Sequence, residues 1–272
     1  MVDIAAQKDT RGISINEVGV MGVKLPIKVL DKSPKRDFQY TIGTFNAFVD
    51  LPETQHGTHM SRIVEVIYNN RDNISAQGLS TLTEELVNRL KATSSRVQVE
   101  FPYFVDKYSP VSKLHNLMTY NARFDMRCDT PLLETLGHNF QTNYRFQLGV
   151  DVDVMTVCPC ALEECQTGAS HVQRGQVKID IKIKEAAMVW LEELIEIAEN
   201  AGSSPVYERL KRPDEKQVVL NGFKKPQFVE DVVRDAAVAL QVNPNIDGYN
   251  ISCENFESIH QHSAYARRFK NW

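Results

Sequence analysis

Long runs of strict alternation constrain this chain more than any other feature. Val97, Val99, Phe101, Tyr103 and Val105 occupy every second position. Tyr120, Ala122, Phe124, Met126 and Cys128 do the same, with Asn121, Arg123, Asp125 and Arg127 between them. Tyr144, Phe146, Leu148, Val150, Val152 and Val154 repeat the pattern, as do Val177, Ile179, Ile181 and Ile183 with Lys178, Asp180, Lys182 and Lys184 between. Successive side chains of a strand point to opposite faces, so each run is a strand with one apolar and one polar side. Sheets of such strands are antiparallel, with helices packed on one face.

The intervening segments complete an order. Residues 1–16 are polar and read as a loose N-terminal arm. A first strand carries Val18 and Val20, then Val23, Leu25, Ile27 and Val29, broken by Gly22 and Pro26. A second alternates through Phe45, Ala47, Val49 and Leu51. Met60, Ile63, Val64 and Ile67 stand at helical spacing, and the box Thr81-Leu82-Thr83-Glu84 announces another helix. With the strands above, residues 17–135 read strand, strand, helix, helix, strand, strand. Residues 136–272 repeat that order. Helical periodicity runs near 187–200, with Leu191, Leu194, Ile195 and Ala198 inward and Gly202 closing it. Pro226 opens a further helix, with Phe228, Val229, Val232, Val233, Ala236, Ala237 and Leu240 inward. Residues 248–255 and 264–270 supply the last strands. The expected fold is α+β, with an arm (1–16) and two modules (17–135 and 136–272). The shared order of elements, not a residue repeat, carries that division.

Composition removes several function classes. The longest apolar stretches, Ala186-Ala187-Met188-Val189-Trp190-Leu191 and Ala236-Ala237-Val238-Ala239-Leu240, fall far short of the roughly 20 residues of a membrane span. The first residues hold no basic and apolar export signal, so a cytoplasmic location and no membrane partner are expected. Lys plus Arg number 31 against 35 Asp plus Glu, a net charge of -4, so no nucleic-acid partner is expected. Of five cysteines, Cys158, Cys160 and Cys165 crowd together, which suits metal or thiol chemistry in a reducing compartment better than a disulfide framework. Cys128 and Cys253 lie in strand-like runs and read as inert core thiols.

Four segments carry candidate chemistry. Cys158-Pro159-Cys160 ends the longest strand, where proline stops the ladder and turns the chain. His171, Gln173 and Arg174 follow, and Cys with His is a preferred ligand pair for zinc and similar metals. Too few further thiols or imidazoles stand nearby to close the site, which suits an open, catalytic coordination shell; the plain alternative is two buried thiols and a surface histidine. His260 and His262, if extended, face one way, with Glu254 placed to approach the same region, and are suited to proton transfer near neutral pH; the alternative is a solvated strand edge. Gly57-Thr58-His59-Met60-Ser61-Arg62 begins a helix that Thr58 is placed to cap and where Arg62 is placed to hold an anion; the plainer reading is a capped helix with an incidental arginine. Leu210-Lys211-Arg212-Pro213-Asp214-Glu215-Lys216 reads as a charged bend, leading to Phe228-Val229-Glu230.

Together these segments resemble GTP cyclohydrolase type IB, the metal-dependent form in the tunnel-fold superfamily. The matching stretches, in chain order, are Gly57–Arg62, Cys158–Cys160, His171 with Gln173-Arg174, Leu210–Lys216, Phe228–Asp231 and Glu257–His262. The resemblance implies a tunnel fold: two modules, each a four-stranded antiparallel sheet with two helices on one face, assembled as a homotetramer with sites at subunit interfaces. It implies conversion of GTP and water to formate and 7,8-dihydroneopterin triphosphate, the entry step to folate-type pterins, by metal-activated water attacking guanine C8. It places one divalent metal per subunit (zinc, manganese or iron(II)) on Cys158, His171 and Glu215, and needs no nicotinamide or flavin. It implies proton transfer by His260 and His262, with Glu257 orienting or sharing protons and Cys160 beside the metal. Glu230 would anchor the purine, and Arg62, Lys211, Arg212 and Arg174 the triphosphate. Two other readings compete: a non-catalytic metal- or purine-binding module of the same fold, and a sister tunnel-fold enzyme such as a nitrile reductase.

Overall fold

A computed structural model describes residues 5, 7–33, 37–130 and 142–272. The elements in chain order are β1 (Ile15–Leu30), β2 (Phe38–Leu51), α1 (Met60–Asn70), α2 (Ala76–Leu90), β3 (Ser94–Tyr108), β4 (His115–Asp129) and β5 (Asn143–Val157). There follow α3 (Pro159–Glu164), β6 (Val172–Ile183), α4 (Leu191–Ala201), β7 (Ser204–Pro205), α5 (Arg212–Lys224), α6 (Val229–Gln241), β8 (Ile246–Phe256) and β9 (Ala264–Lys270). The chain divides into two compact units, Met1–Pro102 with Arg123–Gln147, and Tyr103–Ala122 with Leu148–Trp272. Strands β3, β4 and β5 each contribute residues to both. The boundary expected after residue 135 lies outside the described residues.

In the first unit the strand order is β1-β2-β3-β4-β5. β1 runs through the positions where a break was expected. A register shift between Val20 and Val23 absorbs Gly22, whose φ of 74° suits the missing side chain, and its N–H donates to Asn46 Oδ1 at 3.0 Å. Pro26 is tolerated because β1 is an edge strand, so the absent N–H breaks no second ladder. Phe45, Ala47, Val97 and Val99 form the buried face, and Ile63, Ile67, Leu79, Leu82 and Leu86 of the two helices are buried with them. α2 starts well before the expected box, its cap at Ser75 and not Thr81. Ser75 Oγ accepts from Gly78 N–H at 3.1 Å, and Leu79 extends the apolar stripe backward. Thr81 instead donates to Gln77 O at 3.1 Å. α1 is capped by His59 rather than Thr58, without a side-chain bond. The arm is also more tied than its polarity suggests: His56 N–H donates to Gln7 O at 2.9 Å, and Asp9 N–H to Thr54 O at 3.1 Å.

In the second unit the order is β3-β4-β5-β6-β8-β9, with β7 on β5. β6 and β8 pair antiparallel, as do β8 and β9. The apolar stripes of α4 and α6 are buried as the sequence pattern predicts, except that Phe228, expected inward, is the exposed residue that caps α6; α6 packs on α4, β8 and β9. Cys253 lies in this core and burial pushes its thiol up to about 12; Cys128 is buried in the first unit. A buried polar cluster underlies α4. Lys107 Nζ stands 2.5 Å from Glu199 Oε1 and donates to Val206 O at 3.2 Å, while Tyr120 Oη donates to the same Glu199 oxygen at 2.8 Å.

The charged bend expected at 210–216 is the first turn of α5. Its buried residues are Asp214 and Gly222, so no apolar stripe marks it in the sequence. A Cβ on Gly222 would stand 2.1 Å from Met155 Cε, which shows how closely the helix backbone lies on β5. Asp214 fixes the helix start. Its Oδ1 accepts from Val111 N–H at 2.9 Å and Ser112 N–H at 2.7 Å. Its Oδ2 accepts from Ser112 Oγ at 2.6 Å and Lys211 N–H at 3.0 Å. Despite the cost of burial, these donors hold the carboxyl well below the usual carboxylate range. A depressed pKa contributes stability above the unfolded value near pH 4 and loses it as pH falls through the folded value. Asp214→Asn is therefore expected to lower the urea midpoint at pH 7, and the gap to the unmodified protein to narrow below about pH 4. A gap that stayed constant with pH would show that the ionised form contributes nothing.

Candidate active site

Three strand ends of the second unit build the site. Cys158 follows β5, His171 precedes β6 and Glu257 follows β8. Pro159 ends the β5 ladder and opens α3, and Cys158 becomes the residue at that helix start, its side chain making no capping bond. Cys158 N–H donates to His171 O at 3.2 Å, so thiol and imidazole sit on directly paired backbone. Ser170 Oγ donates to Cys158 O at 2.7 Å and fastens the returning loop. In the β6–β8 ladder Arg174 faces Phe256, which brings Gln173 and Glu257 to the next step beyond it.

His171 is the centre of the contacts. Its Nδ1 lies 2.8 Å from Gln173 Oε1 and 3.4 Å from Glu257 Oε2, with the His171 and Glu257 side chains 13% and 11% exposed. Glu257 Oε2 is buried without a hydrogen-bond partner. The His260 ring stands edge-on to His171, centroids 6.3 Å apart, and His262 stacks on His260 at 5.2 Å. Residues 258–262 form a turn rather than the extended run expected, so the two imidazoles meet by stacking across a bend and not by strand alternation. Glu254 stays in the β8 ladder opposite Gln176 and Tyr265.

A thiol, an imidazole and a buried carboxylate oxygen lacking a hydrogen-bond partner suit a divalent cation chemically. Among the described residues, however, no three of His, Cys, Asp or Glu stand close enough to hold a metal ion. Glu215 is exposed in the first turn of α5, and the structure does not gather it with Cys158 and His171. Cys160 is exposed on α3. Cys165 closes α3, and bonds from Thr167 and Ala169 hold its thiol below the ordinary value.

The remaining candidates lie apart from this cluster or are already engaged. Glu230, in the first turn of α6, lines a cavity of about 680 Å³ with Arg234, Arg267, Arg268 and Phe269. Sequence reasoning missed these arginines, although Arg267-Arg268 is a conspicuous pair in the last strand. Arg174 pairs with Asp153 at 2.9 Å. Lys211 and Arg212 are exposed at the start of α5, and Arg62 is exposed in α1 of the first unit. No helix among the described residues is long and apolar enough to cross a membrane.

Residues 1–266 match the family model described as GCHY-1, Type I GTP cyclohydrolase folE2. A GTP cyclohydrolase FolE2 of Syntrophotalea carbinolica is 41% identical over 98% of this chain and 94% of its own length. That of Geobacter sulfurreducens is 42% identical over 98% of this chain and 96% of its own. Among solved structures, uricase from Arthrobacter globiformis superposes with a TM-score of 0.55 at 6% identity, covering 93% of this chain and 92% of that one. A uricase from Bacillus fastidious gives 0.52 at 11% identity, covering 96% and 93%. At such identity the likeness concerns the fold alone: an α+β tunnel fold.

Proposed function

Because this chain belongs to the type I GTP cyclohydrolase folE2 family, we infer that it hydrolyses GTP to formate and 7,8-dihydroneopterin triphosphate, the first step toward folate-type pterins. The match over residues 1–266 carries this reading. The grouping of Cys158, His171, Glu257, His260 and His262 in one region supports it.

One divalent metal, zinc, manganese or iron(II), belongs to this reading, held by Cys158, His171 and Glu215. Such an ion, when bound, supplies Lewis acidity that brings the pKa of water down to about 7. His260 and His262 take and return protons as the imidazole ring of guanine opens at C8 and formate leaves; imidazole titrates near neutral pH, and the stacked pair is exposed to an arriving substrate. Glu257, buried against His171, orients or shares protons in those transfers. Cys160 contributes a second thiol beside Cys158. Glu230 accepts from guanine N1–H and the 2-amino group, which adenine cannot match. Arg62, Lys211, Arg212 and Arg174 provide charge for the triphosphate, Arg174 after leaving Asp153. Hydrolysis and ring closure are redox-neutral, so neither nicotinamide nor flavin is required. A homotetramer with sites completed between subunits, in the cytoplasm, completes the proposal; exposed Glu215 and Glu230 suit groups that meet their partners on assembly.

The test is direct. The purified protein, supplied in turn with zinc, manganese and iron(II), is expected to convert GTP to a product that oxidation renders fluorescent, with formate released in equal amount. A folded protein that leaves GTP intact with all three metals would overturn the reading.

A further inference from the structure

We propose that Gln173 is a positioning residue that keeps the proton of neutral His171 on Nδ1, so that Nε2 presents the free lone pair. The proposal rests on the reading of His171 as a metal ligand for its significance, and on the geometry below for its content.

Gln173 is 6% exposed, and its polar ends are both engaged. Oε1 stands 2.8 Å from His171 Nδ1, and Nε2 donates to Thr156 Oγ1 at 3.1 Å. Thr156 is fully buried on β5. The spacing explains the arrangement. Gln173 is two residues after His171, and Thr156 two residues before Cys158, so each pair points to one side of its strand. Thr156 and Gln173 thus form a buried back row, and Cys158 and His171 the front row.

The direction of the hydrogen bond follows from what faces Nδ1. An amide turned end for end would aim its NH2 at that nitrogen and ask it to accept. Glu257 Oε2, 3.4 Å from the same nitrogen, argues against this. A carboxylate oxygen and an amide oxygen both accept only, so two of them around one ring nitrogen require a proton there. Nε2 is then unprotonated in the neutral ring. That is the atom that would be open to a cation, and the hydrogen bond behind it raises its basicity. In water the ring exchanges freely between its two neutral forms. Here the wrong form would leave Nε2 blocked by a proton and Nδ1 facing two acceptors.

The experiment uses the metal-free full chain with 15N-labelled histidine, at a pH where the His171 ring is neutral. Long-range 1H–15N correlation spectra distinguish the two neutral forms. Unmodified protein is expected to show Nδ1–H, Gln173→Glu to retain it because an acceptor remains, and Gln173→Leu to lose it. Thr156→Val, close in shape, is expected to mix the forms by freeing the amide to turn, and serves where Gln173→Leu does not fold. Zinc titration of the same samples is expected to give a 10- to 100-fold weaker Kd for Gln173→Leu, roughly the cost of removing such a supporting hydrogen bond, and near-normal affinity for Gln173→Glu. An Nε2–H signal in the unmodified protein, or an unchanged Nδ1–H signal in both Gln173→Leu and Thr156→Val, overturns the proposal. If Nδ1–H is present and lost on substitution while the unmodified protein binds no zinc, the positioning role stands and the ligand reading of His171 falls.

Discussion

Cys158→Ala is expected to lower GTP turnover by roughly 10³-fold or more while the protein stays folded. Loss of a metal's electrostatic contribution is worth several kcal/mol of barrier, and each 1.36 kcal/mol is about tenfold in rate. The structure gives little reason for the fold to suffer. The side chain is half-buried and makes no capping bond at α3, and the bond between Cys158 N–H and His171 O survives the change. Steady-state kinetics with added metal, beside urea denaturation, measures both quantities. His260→Ala should cost about 10²–10⁴-fold, the range for a lost general acid or base. A non-catalytic metal module would behave the other way, since a purely structural ion couples directly to folding and its loss appears as lost stability. Turnover near the unmodified rate in Cys158→Ala would remove the thiol from the mechanism.

Lys107→Met is expected to cost about 3–5 kcal/mol of stability, because it strands a buried carboxylate. The Lys107 and Glu199 side chains are 15% and 14% exposed and lie 2.5 Å apart. Without the ammonium, Glu199 keeps, among the described residues, the donor of Tyr120 Oη. Burial pushes Lys107 down and Tyr120 up, Glu199 adding to the Tyr120 shift, as expected for a desolvated cluster. Lys107→Met with Glu199→Leu together should recover most of the loss, since replacing both partners of a buried pair is often neutral or stabilising. Chemical denaturation of the two single variants and the double variant closes the cycle. A cost below about 1 kcal/mol for Lys107→Met would mean that the pair behaves like a surface salt bridge.

Legibility in the sequence followed periodicity. Every long alternating run became a strand, and the stripes of α4 and α6 were buried as their spacing required, Phe228 at the α6 cap excepted. Where burial was not apolar, the sequence was mute. α5 buries an aspartate and a glycine, so nothing in its pattern set it apart from a solvated bend. The start of α2 is hidden in the sequence because Thr81 and Glu84 imitate a cap, while Ser75 has the free N–H groups to satisfy. Residues with chemistry were easier to name than to arrange. Cys158, His171, Glu257, His260 and His262 were singled out by type, but the stacking of His260 on His262 across a turn was not. Gln173 was visible as part of a motif and had no role until its partners were seen.

By itself the sequence determined the long strands, the helices whose buried stripe is apolar, and which residue types the chemistry draws on. Side-chain alternation and helical repeat are properties of adjacent positions, and these survive in one dimension. Tertiary structure alone decided that Glu257 lies against His171, that Asp214 binds the β3–β4 turn, and that Lys107 pairs with Glu199. Each of those contacts joins residues far apart in the chain, and each depends on strand register and burial. A carboxylate's partner is set by which donors are left in the same dry space when the strands close, and no spacing along the chain encodes that.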